Sequence, residues 1–310
     1  MSFRFEETKM KTMIAFSLAG LLALGARAQA AEPWAQAVAA TIGKAGTEMP
    51  GGVYRIGLPR SDLSVTLDGV SLKPALALGS WLAFVGHGQG QAMVMGDLVL
   101  TDTEVNTVMA KLVAGGIEIT ALHNHLLRNN PHTMYMHIAG HGDPVQLAKA
   151  LHDALALSGT SLTAPAAASP AASETIDLDT AALDRILGHK GKIGGGVYAF
   201  GIPRAETPRD GGMALPPAMG AAIAINFQPT GGGKAAITGD FVLTAAEVNP
   251  VLRALRENGI EVTALHNHML DDEPRLFFMH FWANDDAQKL AHGLAAALGH
   301  VAITRQLAMR

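Results

Sequence analysis

Six histidines stand at matching places in the two halves of the chain. His123, His125 and His137 recur as His266, His268 and His280 at one offset of 143 residues (266 minus 123, 268 minus 125, 280 minus 137). Each copy reads Ala-Leu-His-Asn-His (Ala121–His125, Ala264–His268), then a loop, then Met136-His137 or Met279-His280. Side chains at i and i+2 of a strand project to one face about 6.5–7 Å apart, so each His-x-His pair can aim two imidazoles at one point. A partner strand folding back as a hairpin would bring the third. Three neutral imidazoles plus a water make the ligand set of an open zinc site, and imidazole suits copper and nickel as well. The same groups can also act as general acid and base. A lone His-x-His is more often a packing or surface feature. Here, of 13 histidines, six hold equivalent positions, whereas His132 and His141 match Arg275 and Asn284.

Asp97 and Asp240 are a repeated carboxylate pair, each following a glycine. They read either as strand-end or turn aspartates or as outer groups that ligate or orient the histidines. Asn124 and Asn267, with Glu118 and Glu261, fall on the opposite strand face by alternation and are expected to hold the loops. Met93, Met95, Met134 and Met136 read as core, because only Met136 meets another methionine, Met279, in the second copy. Cysteine is absent, which removes disulfides, thiolate catalysis and cysteine-based metal sites. Gly231-Gly232-Gly233-Lys234 runs into Ala235 without the spacing or hydroxyl of a phosphate-binding loop, so no nucleotide cofactor is expected. The chain has no Gly-x-Ser-x-Gly elbow and no His-Glu-x-x-His helix, and its His-Asn-His string is too compact for the nuclease motif of that name.

The elements that must carry these residues are also doubled. Gly51-Gly52-Val53-Tyr54 and Gly195-Gly196-Val197-Tyr198 open short strands closed by Pro59-Arg60 and Pro203-Arg204. Strands at Trp81–Val85 and Ala222–Phe227, then Ala92–Leu100 and Ala235–Leu243, follow, joined by glycine-rich turns. Val105, Val108, Met109 and Leu112 match Val248, Val251, Leu252 and Leu255 at helical spacing. Thr101-x-x-Glu104 and Thr244-x-x-Glu247 fit capping boxes, although Asn249-Pro250 suits a helix start equally well. Then come the histidine strand, its partner, and a closing helix with Leu147, Leu151 and Leu155, matched by Leu290, Leu294 and Leu298. The pattern predicts an α+β fold of two homologous repeats, each a mostly antiparallel sheet covered by helices, packed together as a pseudo-dimer.

Four segments result: 1–30, a signal peptide; 31–158, the first repeat; 159–175, a linker rich in Ala, Pro and Ser; and 176–310, the second repeat. Lys9 and Lys11 precede an apolar run Met13–Leu24 and the small-x-small site Ala28-Gln29-Ala30, which predicts export and cleavage near Ala30, whether translation starts at Met1 or Met10. The run is too short for a transmembrane helix of ~20 residues. With 16% charged residues and a net charge of −4, there is no electrostatic basis for binding nucleic acid. The expected product is a soluble periplasmic or extracellular protein.

The strings Gly-Gly-Val-Tyr, Gly-Asp-(Leu/Phe)-Val-Leu-Thr, Glu-Val-Asn, Ala-Leu-His-Asn-His and Met-His, each present twice, resemble the LppY/LpqO-type lipoprotein family, a domain of unknown function. The resemblance spans nearly the whole chain after residue 30 and implies an envelope location but no reaction. The lipid-bearing cysteine of those lipoproteins has no counterpart here. Three readings follow from the residues: a protein binding zinc, copper or a small envelope ligand through the histidines; a metal-dependent or histidine acid–base hydrolase of the envelope; or a structural or interaction module in which histidines tie a hairpin to the core.

Overall fold

The computed structural model describes residues 33–163 and 175–304; the expected signal segment and most of the expected linker lie outside them. In the first repeat, α1 (Ala35–Ile42) leads into the strands β1 (Thr47–Met49), β2 (Val53–Pro59), β3 (Gly79–Gly88) and β4 (Gln91–Thr101). Helix α2 (Asp102–Ala114), strands β5 (Glu118–His123) and β6 (Thr133–Gly142), and helix α3 (Pro144–Leu155) complete it. The second repeat runs α4 (Thr180–Leu187), β7 (Lys192–Gly194), β8 (Val197–Pro203), β9 (Ala222–Gly231), β10 (Lys234–Thr244), α5 (Ala245–Glu257), β11 (Glu261–His266), β12 (Leu276–Asp286) and α6 (Ala287–Leu298).

Each repeat forms one six-stranded sheet, in the orders β1-β2-β3-β4-β6-β5 and β7-β8-β9-β10-β12-β11. All pairings within them are antiparallel. The histidine strands β5 and β11 therefore sit at the sheet edges, each paired back on its partner strand. Alternation sorts the faces. Tyr54, Ile56, Leu58, Leu82, Phe84 and Val94 pack with residues of α1, α2 and α3 in one apolar core. The intervening residues turn to the helix-free face, where Val53, Ala83, Met93 and Met95 share a core with the second repeat. Helices thus lie outside and the helix-free faces meet, as in a pseudo-dimer.

The helix starts follow their sequence signals. Thr101 with Glu104, and Thr244 with Glu247, form complete capping boxes. The alternative start at Asn249-Pro250 is not used, and Pro250 lies inside α5, because the box fixes the start more than a turn earlier. Asp143 caps α3 by accepting from the Val145 and Gln146 amides. The same two glutamates hold buried arginines. Arg60 and Arg204, each only 1% exposed at the side chain, bind Glu104 and Glu247 at 2.8 and 2.7 Å and donate to the Val99 and Val242 carbonyls.

The irregular stretches between the second and third strands of each repeat are arms that reach the other repeat. In the first, a small hairpin (Thr66–Leu67 with Val70–Ser71) and a turn of helix (Pro74–Ala77) pack Leu67, Leu72 and Leu76 against Val197, Ala236 and Trp282. Gln228 clamps this arm, accepting from the Lys73 amide at 2.8 Å and donating to the Ser71 carbonyl at 2.8 Å. The second repeat answers with Ala218, whose carbonyl accepts from Arg55 Nη1 at 2.6 Å. No helix among the described residues is long and apolar enough to cross a membrane.

Candidate functional site

Simple alternation would put Ile117, Ile119, Ala121 and His123 on one face, but a β-bulge breaks the row. Ile119 pairs with Ile138 but Ala121 pairs with His137, leaving Thr120 as the extra residue. The bulge reverses the alternation. Ile117 and Ile119 remain with the helix-side core, while Ala121 and His123 join His137 on the helix-free face. The second repeat repeats the bulge between Val262 and Ala264. The extra threonines tie the repeats together: Thr120 Oγ1 donates to the His268 carbonyl and Thr263 Oγ1 to the His125 carbonyl, both at 2.5 Å. Asn124 and Asn267 cross in the same way, their Nδ2 groups donating to the Thr263 and Thr120 carbonyls at 3.0 and 2.9 Å. Glu261 also faces the other repeat, paired with Arg128 at 2.8 Å.

These straps bring all six histidines into one cluster between the sheets. The closest histidine pairs take their rings from different repeats. His123 stacks on His266 at 3.4 Å between centroids, His125 lies 3.7 Å from His280, and His137 lies 3.8 Å from His268. Within a repeat the spacing is wider: 5.1 Å for His123–His125 and 5.0 Å for His123–His137. The swap of partners between 125–280 and 137–268 is what a pseudo-twofold axis through the cluster requires.

Every Nε2 in the cluster is buried without a hydrogen-bond partner among the described residues. In three rings Nδ1 is engaged from behind. His123, His266 and His280 reach the carbonyls of Asn124, Asn267 and Gly239 at 2.9, 3.0 and 2.8 Å. A carbonyl oxygen only accepts, so in these three rings Nδ1 carries the proton and Nε2 keeps its lone pair. Burial, reinforced by mutual repulsion, lowers the pKa of His125, His137, His266 and His268. Burial also lowers His123, and it takes His280 down to about 3 against the pull of Asp240. The cluster is neutral at pH 7.

Asp97 is buried and Asp240 half-buried, both mid-strand and in register opposite His137 and His280. They are not turn residues. Their Oδ2 atoms come within 3.5 Å of His125 Nε2 and 3.2 Å of His268 Nε2. Each Oδ1 is buried without a partner among the described residues. Burial pushes both carboxyls upward, Asp97 also by repulsion from Asp240. A carboxylate facing a ring nitrogen at this range calls for positive charge between them, a proton or a metal ion. Sets such as Asp97, His125 and His137, or His123, His137 and His266, place one ligand atom per residue within 4.8 Å of one another.

A cleft of about 350 Å³ opens onto the cluster beside Asp97, Asp240, His125 and His268. Its other wall carries Arg55 and Trp81, which the sequence reading passed over because neither is repeated. They are Ala199 and Ala224 in the second copy. The four methionines set aside as core do not ligate; Met93, Met95 and Met136 are buried in apolar clusters and Met134 packs against one.

A family model described as Domain of Unknown Function (DUF1259) matches residues 36–157 and again 181–300. The chain belongs to the DUF1259 family. In DUF1259 terms it is a tandem pair, and the histidine cluster is built from both members. No curated protein compared with it matches. Two solved structures align with most of the chain: a trimeric bacterial microcompartment shell protein, PduB, at 13% identity over 80% of this chain and 86% of that one, and EtuB from Clostridium kluyveri at 10% identity over 82% and 89%. Their TM-scores are 0.18 and 0.20.

Proposed function

We propose that this DUF1259 protein binds a transition metal, zinc or copper, at a single centre shared by its two repeats. The observation that carries the reading is the set of six buried Nε2 atoms without a hydrogen-bond partner among the described residues, three of them on rings whose Nδ1–H is held by a backbone carbonyl. A backbone carbonyl behind a ligating ring is the usual way to fix its tautomer and aim. Leaving six ring nitrogens and two carboxylate oxygens buried without hydrogen bonds costs free energy at each, and a cation would satisfy several together. As a second part of the proposal, the segment 1–30 exports the chain, cleavage falls near Ala30, and the resemblance to LppY/LpqO-type lipoproteins supports work in the periplasm or outside the cell.

The test is elemental mass spectrometry on protein purified without a histidine tag, before and after incubation with zinc or copper. One or two equivalents, falling sharply in a His123/His125/His137→Ala variant that still melts cooperatively, is the expected result. Absence of both metals from folded wild type would overturn it. A second reading, metal-dependent hydrolysis, is favoured by the cleft reaching the cluster, since a bound metal there would lower the pKa of a water toward ~7. It predicts turnover that disappears with the metal.

A further inference from the structure

The cluster obeys the pseudo-twofold axis; the cleft beside it does not. On the second repeat its floor is small or polar: Gly201, Ala224, Asn226 and Thr238. The matching residues of the first repeat are Gly57, Trp81, Ala83 and Met95, of which Ala83 and Met95 are buried in the core. One half is therefore filled and the other emptied. Into the space so made the first repeat presents Arg55, its guanidinium carbon 4.0 Å above the Trp81 ring. Trp81 is held in turn by Gly220, where a Cβ would come within 2.9 Å of the indole and φ is +87°.

Arg55 is not a buried counter-ion in direct contact. Its one hydrogen bond among the described residues runs from Nη1 to the Ala218 carbonyl, and no ion pair within 4.0 Å joins it to Asp97 or any other carboxylate. Nε and Nη2 are left for the cleft. Stacking on an indole and anchoring one nitrogen preorganises the remaining donors, the arrangement by which arginine recognises a planar oxyanion. Burial brings the Arg55 pKa down to about 10, so it remains charged at pH 7. The gap between Arg55 and the carboxylate–imidazole wall is the cleft itself.

We propose that this cleft binds a small oxyanion, a carboxylate or phosphate group, held between Arg55 and the metal centre; the inference rests on the metal reading above. The pairing resolves the charge balance. Asp97 and Asp240 would repel an anion on their own, but a divalent ion among them reverses the local sign, and Arg55 supplies the second cationic contact. Asn226, whose Nδ2 donates to the Leu76 carbonyl at 3.4 Å, and Thr238 make the floor polar. The space is at the small end of ligand pockets, which favours a compact acid over a polymer.

Zinc-loaded protein titrated calorimetrically with benzoate and with inorganic phosphate tests this, beside Arg55→Met and Arg55→Lys variants whose metal content and melting are measured on the same samples. Wild type should bind at least one anion. Arg55→Met should weaken it ~10- to 100-fold, the range for a charge-assisted contact, with Arg55→Lys between and zinc unchanged. The preferred anion separates the carboxylate from the phosphate source. Equal affinity in Arg55→Met with zinc retained, or no binding of either anion to zinc-loaded wild type, overturns the inference. If wild type takes up no metal, the metal reading fails separately, and the same Arg55→Met comparison on metal-free protein decides whether an oxyanion site stands.

Discussion

Acid should destabilise the metal-free protein well above the ordinary carboxylate range. The perturbation is a shift from pH 7 to pH 5 after exhaustive chelation. His280, held down to about 3 in the fold by burial against an ordinary value of 6.5 when unfolded, is the handle. Between those values the unfolded chain holds a proton that the folded chain does not, so stability rises with pH across the window and is lost on acidification. At pH 5, some 1.5 pH units below 6.5, His280 alone costs about 2 kcal/mol. The other five histidines are displaced in the same direction by the same burial. Their costs add to that of His280, offset in part by Asp97 and Asp240, whose raised carboxyls take up protons within the fold; even the His280 share is a large fraction of a typical domain stability of ~5–15 kcal/mol. Urea unfolding followed by tryptophan fluorescence at pH 7, 6 and 5 measures this. His280→Asn should recover about 2 kcal/mol of the difference. Zinc-loaded protein should resist until protons displace the metal, then lose stability and metal together. An unchanged urea midpoint between pH 7 and 5 in metal-free wild type would refute the reasoning, because the rings would then accept protons within the fold.

The remaining expectations concern how the cluster is held. Asn124→Ala removes the bonds to the Thr263 and Leu126 carbonyls and should cost about 1–3 kcal/mol by urea unfolding, with a larger fractional loss of metal affinity than a surface control such as Lys149→Ala. Arg60→Ala strands Glu104 and Asp62 beside a buried carbonyl and should cost about 3 kcal/mol; adding Glu104→Gln should restore part of it in a double-mutant cycle. Gly239→Ala would press a Cβ against the Ala224 carbonyl and the Phe281 ring, whereas Gly201→Ala meets nothing within 4 Å. The first should therefore lose about 3 kcal/mol or more together with metal uptake, because Gly239 carries the carbonyl behind His280, and the second should melt near wild type.

Much of this was legible because duplication marks what is kept. The helices and strands follow from apolar period, capping boxes and glycine turns, and the six histidines from their common offset. Three features escaped. The bulges at Thr120 and Thr263 cannot be read from alternation, since an extra residue leaves no compositional trace, yet they decide which face Ile119 and His123 take. The arms around Pro59–Pro74 and Pro203–Pro217 looked irregular because their apolar residues, such as Leu67 and Leu72, bury themselves against the other repeat. Pro-Arg was visible twice, but as a strand terminator. That Arg60 and Arg204 would fold back onto the capping glutamates depends on tertiary approach.

The crossed ring pairs explain what a tandem chain gains over two separate copies. Each close histidine pair takes one ring from each repeat, and the straps from Thr120, Thr263, Asn124 and Asn267 all run between repeats. A single repeat would expose three imidazoles at a sheet edge with no second wall, so the centre exists only in the pair. A symmetric homodimer could build such a centre, but every residue around it would then occur twice on equivalent sides. Fusion lifts that constraint. It permits Arg55 opposite Ala199 and Trp81 opposite Ala224, a symmetric cluster beneath a one-sided cleft. Substituting Ala199→Arg and Ala224→Trp would restore the symmetry and fill the cleft from the second side, leaving the histidines in place while closing the route to them.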